Sequence, residues 1–194
     1  MNNKEVVILN LGVGNIFSIK NACKLVGLNT IVSDDKNVIN NSNGLIIPGV
    51  GSYKTAMDKI KRMKLDEVIF NYINTGKPVM GICLGMQLFF ESSEEFGNSL
   101  GLAFIKGKVK NFQFQNIEGL KYPSTQIGWN NIFFNDLENK FNIYQGVENG
   151  ALMYFANSYY VEFNEEFPNF YSEYGKIKFC SSYIDKNLYL FQFH

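Results

Sequence analysis

Cys83 stands between Gly81 and Gly85 at the end of the short apolar run Pro78-Val79-Met80. In a Gly-x-nucleophile-x-Gly pattern a strand reverses sharply into a helix, and small flanking residues let the nucleophile stand exposed on a strained turn. A thiol placed there can attack a carbonyl carbon. Leu84 to Glu91 reads as the following helix, whose N-terminal dipole favours the thiolate. A lone cysteine is as readily a buried structural residue; the paired glycines and the strand-to-helix context favour the nucleophile. Such a thiol needs a base to take its proton and return it to the leaving group, and histidine is the usual one. The chain has a single histidine, His194, the last residue of the sequence. The apolar run Leu188 to Phe193 reads as a strand able to deliver it to the edge that carries Cys83, although a terminal histidine can also be a frayed end or a tag remnant. Pro48-Gly49-Val50-Gly51 follows another buried strand, so its amides can serve as oxyanion donors beside that of Leu84, the alternative being a plain tight turn.

The elements that must position these groups alternate along the first half. Glu5 to Leu9, Thr30 to Val32, Gly44 to Ile47 and the Val79 run read as strands. Between them Ile16, Ile19, Cys23 and Val26 recur at helical spacing up to Gly27, and two more helices are predicted over Lys54 to Met63 and Asp66 to Asn74. This β-α alternation implies a mostly parallel central sheet covered by helices, with ligands at the carboxyl ends of its strands. After Gly101 the chain turns to Phe/Tyr/Val-rich runs, at Ala103 to Val109, Trp129 to Phe134, Ser158 to Phe163 and Ile177 to Ile184, so this half is predicted to be mainly β. Residues 1–194 are read as one domain.

Composition narrows the function. The 194 residues carry 18 basic and 18 acidic side chains and are 46% hydrophobic, which gives no electrostatic footprint for nucleic acid. The dispersed aromatics, 18 Phe and 11 Tyr, read as core and sheet faces before base-stacking platforms. No apolar run has the roughly 20 residues needed to span a bilayer. Three cysteines without a signal peptide point to a reducing cytoplasm. Gly12-Val13-Gly14 fails the dinucleotide fingerprint because Phe17 occupies the third glycine position. With no Walker sequence, no Cys-x-x-Cys and no ligand cluster, neither a cofactor nor a metal site is expected.

Gly81-Ile82-Cys83-Leu84-Gly85-Met86-Gln87, Pro48 to Gly51 and Phe191-Gln192-Phe193-His194 together resemble the class I glutamine amidotransferases, over nearly the whole chain. Asn10 to Asn15, Pro48 to Ser52, Ser93-Glu94-Glu95, Gly128-Trp129-Asn130 and Ser158-Tyr159-Tyr160 are similar to the glutaminase subunits of imidazole glycerol phosphate synthase. The resemblance implies a flavodoxin-like α/β fold. It also implies that Cys83 forms a glutamyl thioester and releases ammonia, with His194 as proton carrier and the Val50 and Leu84 amides holding the oxyanion. By the same likeness Gln87 and Glu95 bind the α-amino and carboxylate ends of glutamine, helped by Ser158 and Tyr159, with Gly49 and Gly51 in the substrate loop. The ammonia is then expected to pass to a (β/α)₈ cyclase partner, whose interface includes Trp129 and Asn130 on an exposed turn.

Three departures from the family pattern stand out. The family continues His-Pro-Glu, with a closing helix, where this sequence ends at His194. Loss of the orienting acid can cost ~10⁴ in turnover by analogy with serine triads. Gln126 and Asn157 occupy positions where the family carries histidine. Two alternatives therefore stay open: a paralogue that supplies ammonia for sugar modification of surface polysaccharide, and a non-catalytic docking subunit.

Overall fold

A computed structural model of the chain describes residues 5–134, 142–164 and 170–194. The first half alternates β1 (Glu5–Leu9), α1 (Ile16–Leu25), β2 (Asn29–Ser33), α2 (Lys36–Asn41), β3 (Gly44–Ile47), α3 (Tyr53–Arg62), α4 (Leu65–Asn74), β4 (Val79–Ile82) and the one-turn α5 (Leu84–Gln87). Strands follow: β5 (Phe90–Ser93), β6 (Ser99–Leu100), β7 (Ile105–Asn111), β8 (Gln115–Ile117), β9 (Leu120–Tyr122), β10 (Gln126–Asn131), β11 (Phe133–Phe134), β12 (Leu152–Asn157), β13 (Tyr159–Glu162), β14 (Phe170–Tyr174), β15 (Ile177–Cys180), β16 (Ser182–Asp185) and β17 (Leu188–Phe191).

Among the described residues the main sheet runs β16-β17-β4-β3-β1-β2, parallel except for β16. Its strands are short apolar runs because both faces are covered. Val7, Leu9, Leu45, Ile47 and Val79 face the helices α2, α3 and α4. The alternate residues Val6, Ile8, Ile46 and Val32 face Ile16, Ile19 and Cys23 of α1. The covering helices are fixed locally. Asn15 caps α1 by accepting from the Ser18 amide, Ser52 caps α3, and Asp35 caps α2 by accepting from the Asn37 and Val38 amides. Buried Tyr53, Ala56, Met57 and Ile60 recur on α3 at the spacing of one helical face.

A second sheet, β11-β14-β15-β13-β7-β5-β6, is built from the second half, and β10 pairs with β12 as a separate antiparallel ribbon. Two expectations change here. The helix read over Leu84 to Glu91 stops after Gln87: the Leu88 and Phe89 carbonyls accept from the Leu102 and Phe104 amides in place of a further helical turn, and Phe90 starts β5 opposite Ile105. The run Ile177 to Ile184 is two strands in different sheets, with the break at Ser181. The short helix α2 was not anticipated, since its six residues carry only one buried apolar position, Ile39.

Because β17, β4 and β3 are parallel neighbours, their carboxyl ends open at one edge. Ile47 lies opposite Gly81, and Phe191 opposite Ile82. The Pro48–Gly51 loop, Cys83 and Gln192 are thereby set side by side. The fit leaves no room for a methyl group: a Cβ on Gly85 would lie 2.1 Å from the Ile47 carbonyl oxygen, and one on Gly49 would lie 1.4 Å from that of Ile82. Gly85→Ala is therefore expected to lower stability by at least the ~1–3 kcal/mol typical of overpacking. Gly44→Ala, whose Cβ would meet Val6 at an ordinary 3.4 Å, is expected to be nearly neutral. Urea denaturation of the two variants provides the comparison.

Candidate active site

The turn from β4 into α5 is made at Cys83 itself, with φ 51° and ψ −109°. A non-glycine residue in that region carries strain of order 1–3 kcal/mol, sustained only when its neighbours fix it. They do so on every side. The Cys83 amide donates to the Phe191 carbonyl at 2.7 Å, and the Cys83 carbonyl accepts from the Met86 and Gln87 amides at 3.0 and 3.1 Å. The thiol receives a hydrogen bond from Gln192 Nε2, at 3.4 Å from Sγ, and the Leu84 amide beside it also favours the ionised sulphur.

Cys83 opens onto a cleft of about 220 Å³. Gly49, Val50, Gly51, Leu84, Gln87, Glu95, Ser158 and Tyr159 all line it, so residues far apart in the chain converge on the thiol. Among the described residues neither backbone nor side chain accepts from the Val50 amide, which leaves that donor available beside the Leu84 amide. Gly51, at φ 125°, lets the loop turn close against Val13. Glu95 Oε2 accepts from the Tyr53 amide at 2.7 Å, so its carboxylate is anchored at the first residue of α3, where the helix dipole favours an anion.

Gln87 is buried and its amide nitrogen is already engaged, donating to the Tyr159 carbonyl at 2.8 Å and to Gln192 Oε1 at 2.9 Å. The Tyr159 carbonyl also accepts from Asn157 Nδ2 at 3.0 Å. Ser158 Oγ pairs with Thr125 Oγ1 at 2.7 Å. Gln192 is therefore a site residue that sequence reading passed over. Its signal was a polar residue inside the apolar run Leu188 to Phe193, and it is fully buried.

His194 does not line this cleft. Its amide donates to the Tyr154 carbonyl at 2.8 Å, which seats the end of the chain on β12. Burial against the protein lowers its imidazole pKa, so the neutral form that can accept a proton is favoured. Trp129 and Asn130 lie on β10 and not on a turn, because Trp129 pairs with Tyr154 and Asn130 with Met153 across the ribbon. Trp129 is nonetheless 69% exposed, while Asn130 donates to the Glu173 carbonyl.

The expected helix-dipole activation of the thiol is also corrected. The helix after Cys83 has only one turn, and burial pushes the thiol pKa up to about 12 despite the opposing hydrogen bonds from Leu84 and Gln192.

Residues 7–194 match the class-I glutamine amidotransferase family. The chain belongs to that family. It is 36% identical over 189 residues to imidazole glycerol phosphate synthase subunit HisH of Bacillus mycoides (strain KBAB4), covering 97% of this chain and 86% of that one. It is likewise 36% identical over 193 residues to the HisH subunit of Syntrophotalea carbinolica, covering 97% and 91%. In fold it is similar to PurLQS from Thermotoga maritima, with a TM-score of 0.71, 16% identity and coverage of 99% of this chain and 87% of that one. The glutaminase domain of Trypanosoma brucei CTPS gives a TM-score of 0.66 at 12% identity, covering 98% and 85%. The family's members are glutamine amidotransferases with a cysteine nucleophile, and this chain is one of them. Among the described residues no helix is long and apolar enough to cross a membrane.

Two outcomes are expected. The folded Cys83 and Cys180 thiols, both pushed up to about 12, keep their protons where an unfolded thiol, near 9.0, loses its own. Their contribution to stability is complete below the unfolded value and is lost as pH rises through the folded one. Urea midpoints should fall as pH rises above about 9, and less steeply in Cys83→Ala. Gln192→Leu removes the side-chain donor to Sγ, worth ~1.5–3 kcal/mol once the sulphur is charged, so turnover should fall about tenfold or more. Steady-state glutamate release measures it.

Proposed function

We propose that the chain is the glutaminase subunit of an imidazole glycerol phosphate synthase, which hydrolyses glutamine at Cys83 and supplies ammonia to a (β/α)₈ cyclase partner in histidine biosynthesis. The observation that carries this reading is the strained Cys83 elbow, with Leu84 and the Gly49–Gly51 loop beside it in one cleft, in a chain aligned over 97% of its length with HisH subunits.

Glutamine lies in the cleft with its side-chain amide at Sγ. The Glu95 carboxylate holds the α-ammonium end, and Gln87, Ser158 and Tyr159 form the wall facing the α-carboxylate. Sγ adds to the amide carbon as the thiol proton leaves, and the Val50 and Leu84 amides stabilise the oxyanion. Breaking the C–N bond releases ammonia, the nitrogen taking up the thiol proton with His194 as carrier. Water then adds to the thioester, the C–S bond breaks, and glutamate leaves with the thiol restored.

A thiol whose pKa is raised by burial and an imidazole outside the cleft lining make the isolated chain a poor glutaminase. Docking of the partner brings the loop and base into register, with the glycines at 49 and 51 absorbing the movement. The docking surface is the outer face of the β10–β12 ribbon, where Ile127, Trp129 and Leu152 are 71%, 69% and 57% exposed. Charge-poor apolar surface centred on an aromatic suits a protein partner.

Ammonia release from glutamine, measured with and without the barrel subunit and its nucleotide ligand, tests the reading. Strong stimulation by the partner, abolished in Cys83→Ala, is expected; equal turnover with and without the partner refutes the gating. Trp129→Ala should weaken the partner Kd by roughly 30-fold, the ~2 kcal/mol of an interface hot spot.

A further inference from the structure

Ser158 lines the Cys83 cleft from the bend between β12 and β13, where its backbone and its hydroxyl are held by different partners. The Ser158 carbonyl accepts from the Phe112 amide at 2.9 Å and from Asn111 Nδ2 at 3.3 Å, and the next carbonyl, that of Tyr159, accepts from Asn157 Nδ2 at 3.0 Å. The Ser158 hydroxyl instead meets Thr125, with 2.7 Å between Oγ and Oγ1. Thr125 immediately precedes β10 and Ser158 immediately follows β12, one rung beyond the Gln126–Asn157 pair, so the ribbon brings the two hydroxyls together. Thr125 does not line the cleft, and its own carbonyl is anchored by the Tyr174 hydroxyl at 3.3 Å. A β-branched side chain has few rotamers, so Thr125 restrains the Ser158 oxygen at a small entropic cost.

The cleft requires donors of this kind. Among the described residues that line it, Glu95 is the one charged side chain, and none is Lys, Arg or His. A carboxylate that enters is therefore held by neutral N–H and O–H groups. Gln87 does not supply one from its side chain, because Nε2 directs its two protons to the Tyr159 carbonyl and to Gln192 Oε1. The Ser158 hydroxyl is a cleft donor whose oxygen is already fixed in place.

We infer that Thr125 is a positioning residue for glutamine: its hydroxyl donates to Ser158 Oγ, so that Ser158 presents its own proton to the α-carboxylate. This deepens the proposed function and rests on it. Each hydroxyl carries one proton, and the contact between them runs in either direction. A carboxylate only accepts, so its arrival selects the order Thr125 to Ser158 to carboxylate. Hydrogen bonds in series polarise one another, and one that ends on an ionised group is stronger than a neutral one. The α-carboxylate takes no part in the chemistry, so the contact is equal in the bound substrate and in the transition state. It lowers KM and leaves kcat alone.

The test uses the complex of the full chain with its barrel cyclase subunit, and reads glutamate release over a range of glutamine concentrations. Thr125→Val keeps the shape of the side chain and removes its donor. KM for glutamine should rise about fivefold, the equivalent of one neutral hydrogen bond, with kcat unchanged. Thr125→Ala should do the same with less bulk, and Thr125→Ser, which restores the hydroxyl, should bring KM back toward wild type. Ser158→Ala should raise KM by itself, and adding Thr125→Val to it should raise KM no further, because the two act as one unit. The inference is overturned if Thr125→Val or Thr125→Ala folds, as judged by its thermal transition, and keeps wild-type KM, if its loss appears in kcat alone, or if its effect adds in full to that of Ser158→Ala. A wild-type complex that releases no glutamate overturns the parent reading and this inference with it, whereas an active wild type with unaltered Thr125 variants overturns this inference alone.

Discussion

The backbone of Cys83 is the constraint on which the rest depends. A residue with a side chain at φ 51° and ψ −109° does not hold that conformation alone. Three neighbouring elements over-determine it. Strand β17 supplies the Phe191 carbonyl to the Cys83 amide, the first turn of α5 supplies the Met86 and Gln87 amides to its carbonyl, and the loop after β3 presses against it so closely that Gly49 tolerates no Cβ. The order β17-β4-β3 is therefore more than a way to bury apolar strands. It is the arrangement that places a donor loop on one side of the nucleophile and the Gln192–His194 segment on the other.

A second constraint opposes the first. Enclosing the elbow buries the thiol to 6% exposure, and burial favours the neutral sulphur that cannot attack. The polar groups beside it are arranged against that tendency. Gln192 donates to Sγ and accepts from Gln87, and Gln87 donates onward to the Tyr159 carbonyl on β13. This chain of hydrogen bonds joins the nucleophile, the main sheet and the second sheet.

Much of this was legible in the residues. The β-α alternation of the first half, the two buried faces of its sheet and the elbow all follow from apolar periodicity and glycine placement, because local sequence decides them. The expectations that failed lie where tertiary pairing decides. Leu88 to Phe90 has the composition of a helix, yet the Leu88 and Phe89 carbonyls accept from the distant Leu102 and Phe104 amides and Phe90 enters a strand opposite Ile105. Trp129-Asn130 after a glycine reads as a turn until Tyr154 and Met153, more than twenty residues on, supply the opposing strand. Gln192 was hidden for a related reason: a glutamine in an apolar run acquires meaning only when Cys83 and Gln87, more than 100 positions earlier, are set beside it.

The ribbon draws these strands of argument together, since its two faces face different problems. On the outer face, Ile127 and Trp129 lie across from Ala156 and Tyr154, apolar side chains left open to solvent with a T-shaped contact between the Trp129 and Tyr154 rings at 5.7 Å. On the inner face the same two strands alternate to Gln126 and Asn157, polar and buried. Period-2 alternation makes these two surfaces inseparable: a shift of register by one residue would exchange them, placing Trp129 inside and the amides in water. The Thr125–Ser158 hydroxyl pair and the seat of His194 on Tyr154 hold that register from either side. The position of the end of β17, and with it the Gln192 contact to the thiol, is thus tied to the strand pair that carries this exposed apolar face. One short ribbon thereby joins an exposed apolar face, a wall of the Cys83 cleft and the strand end that carries the donor to the nucleophile.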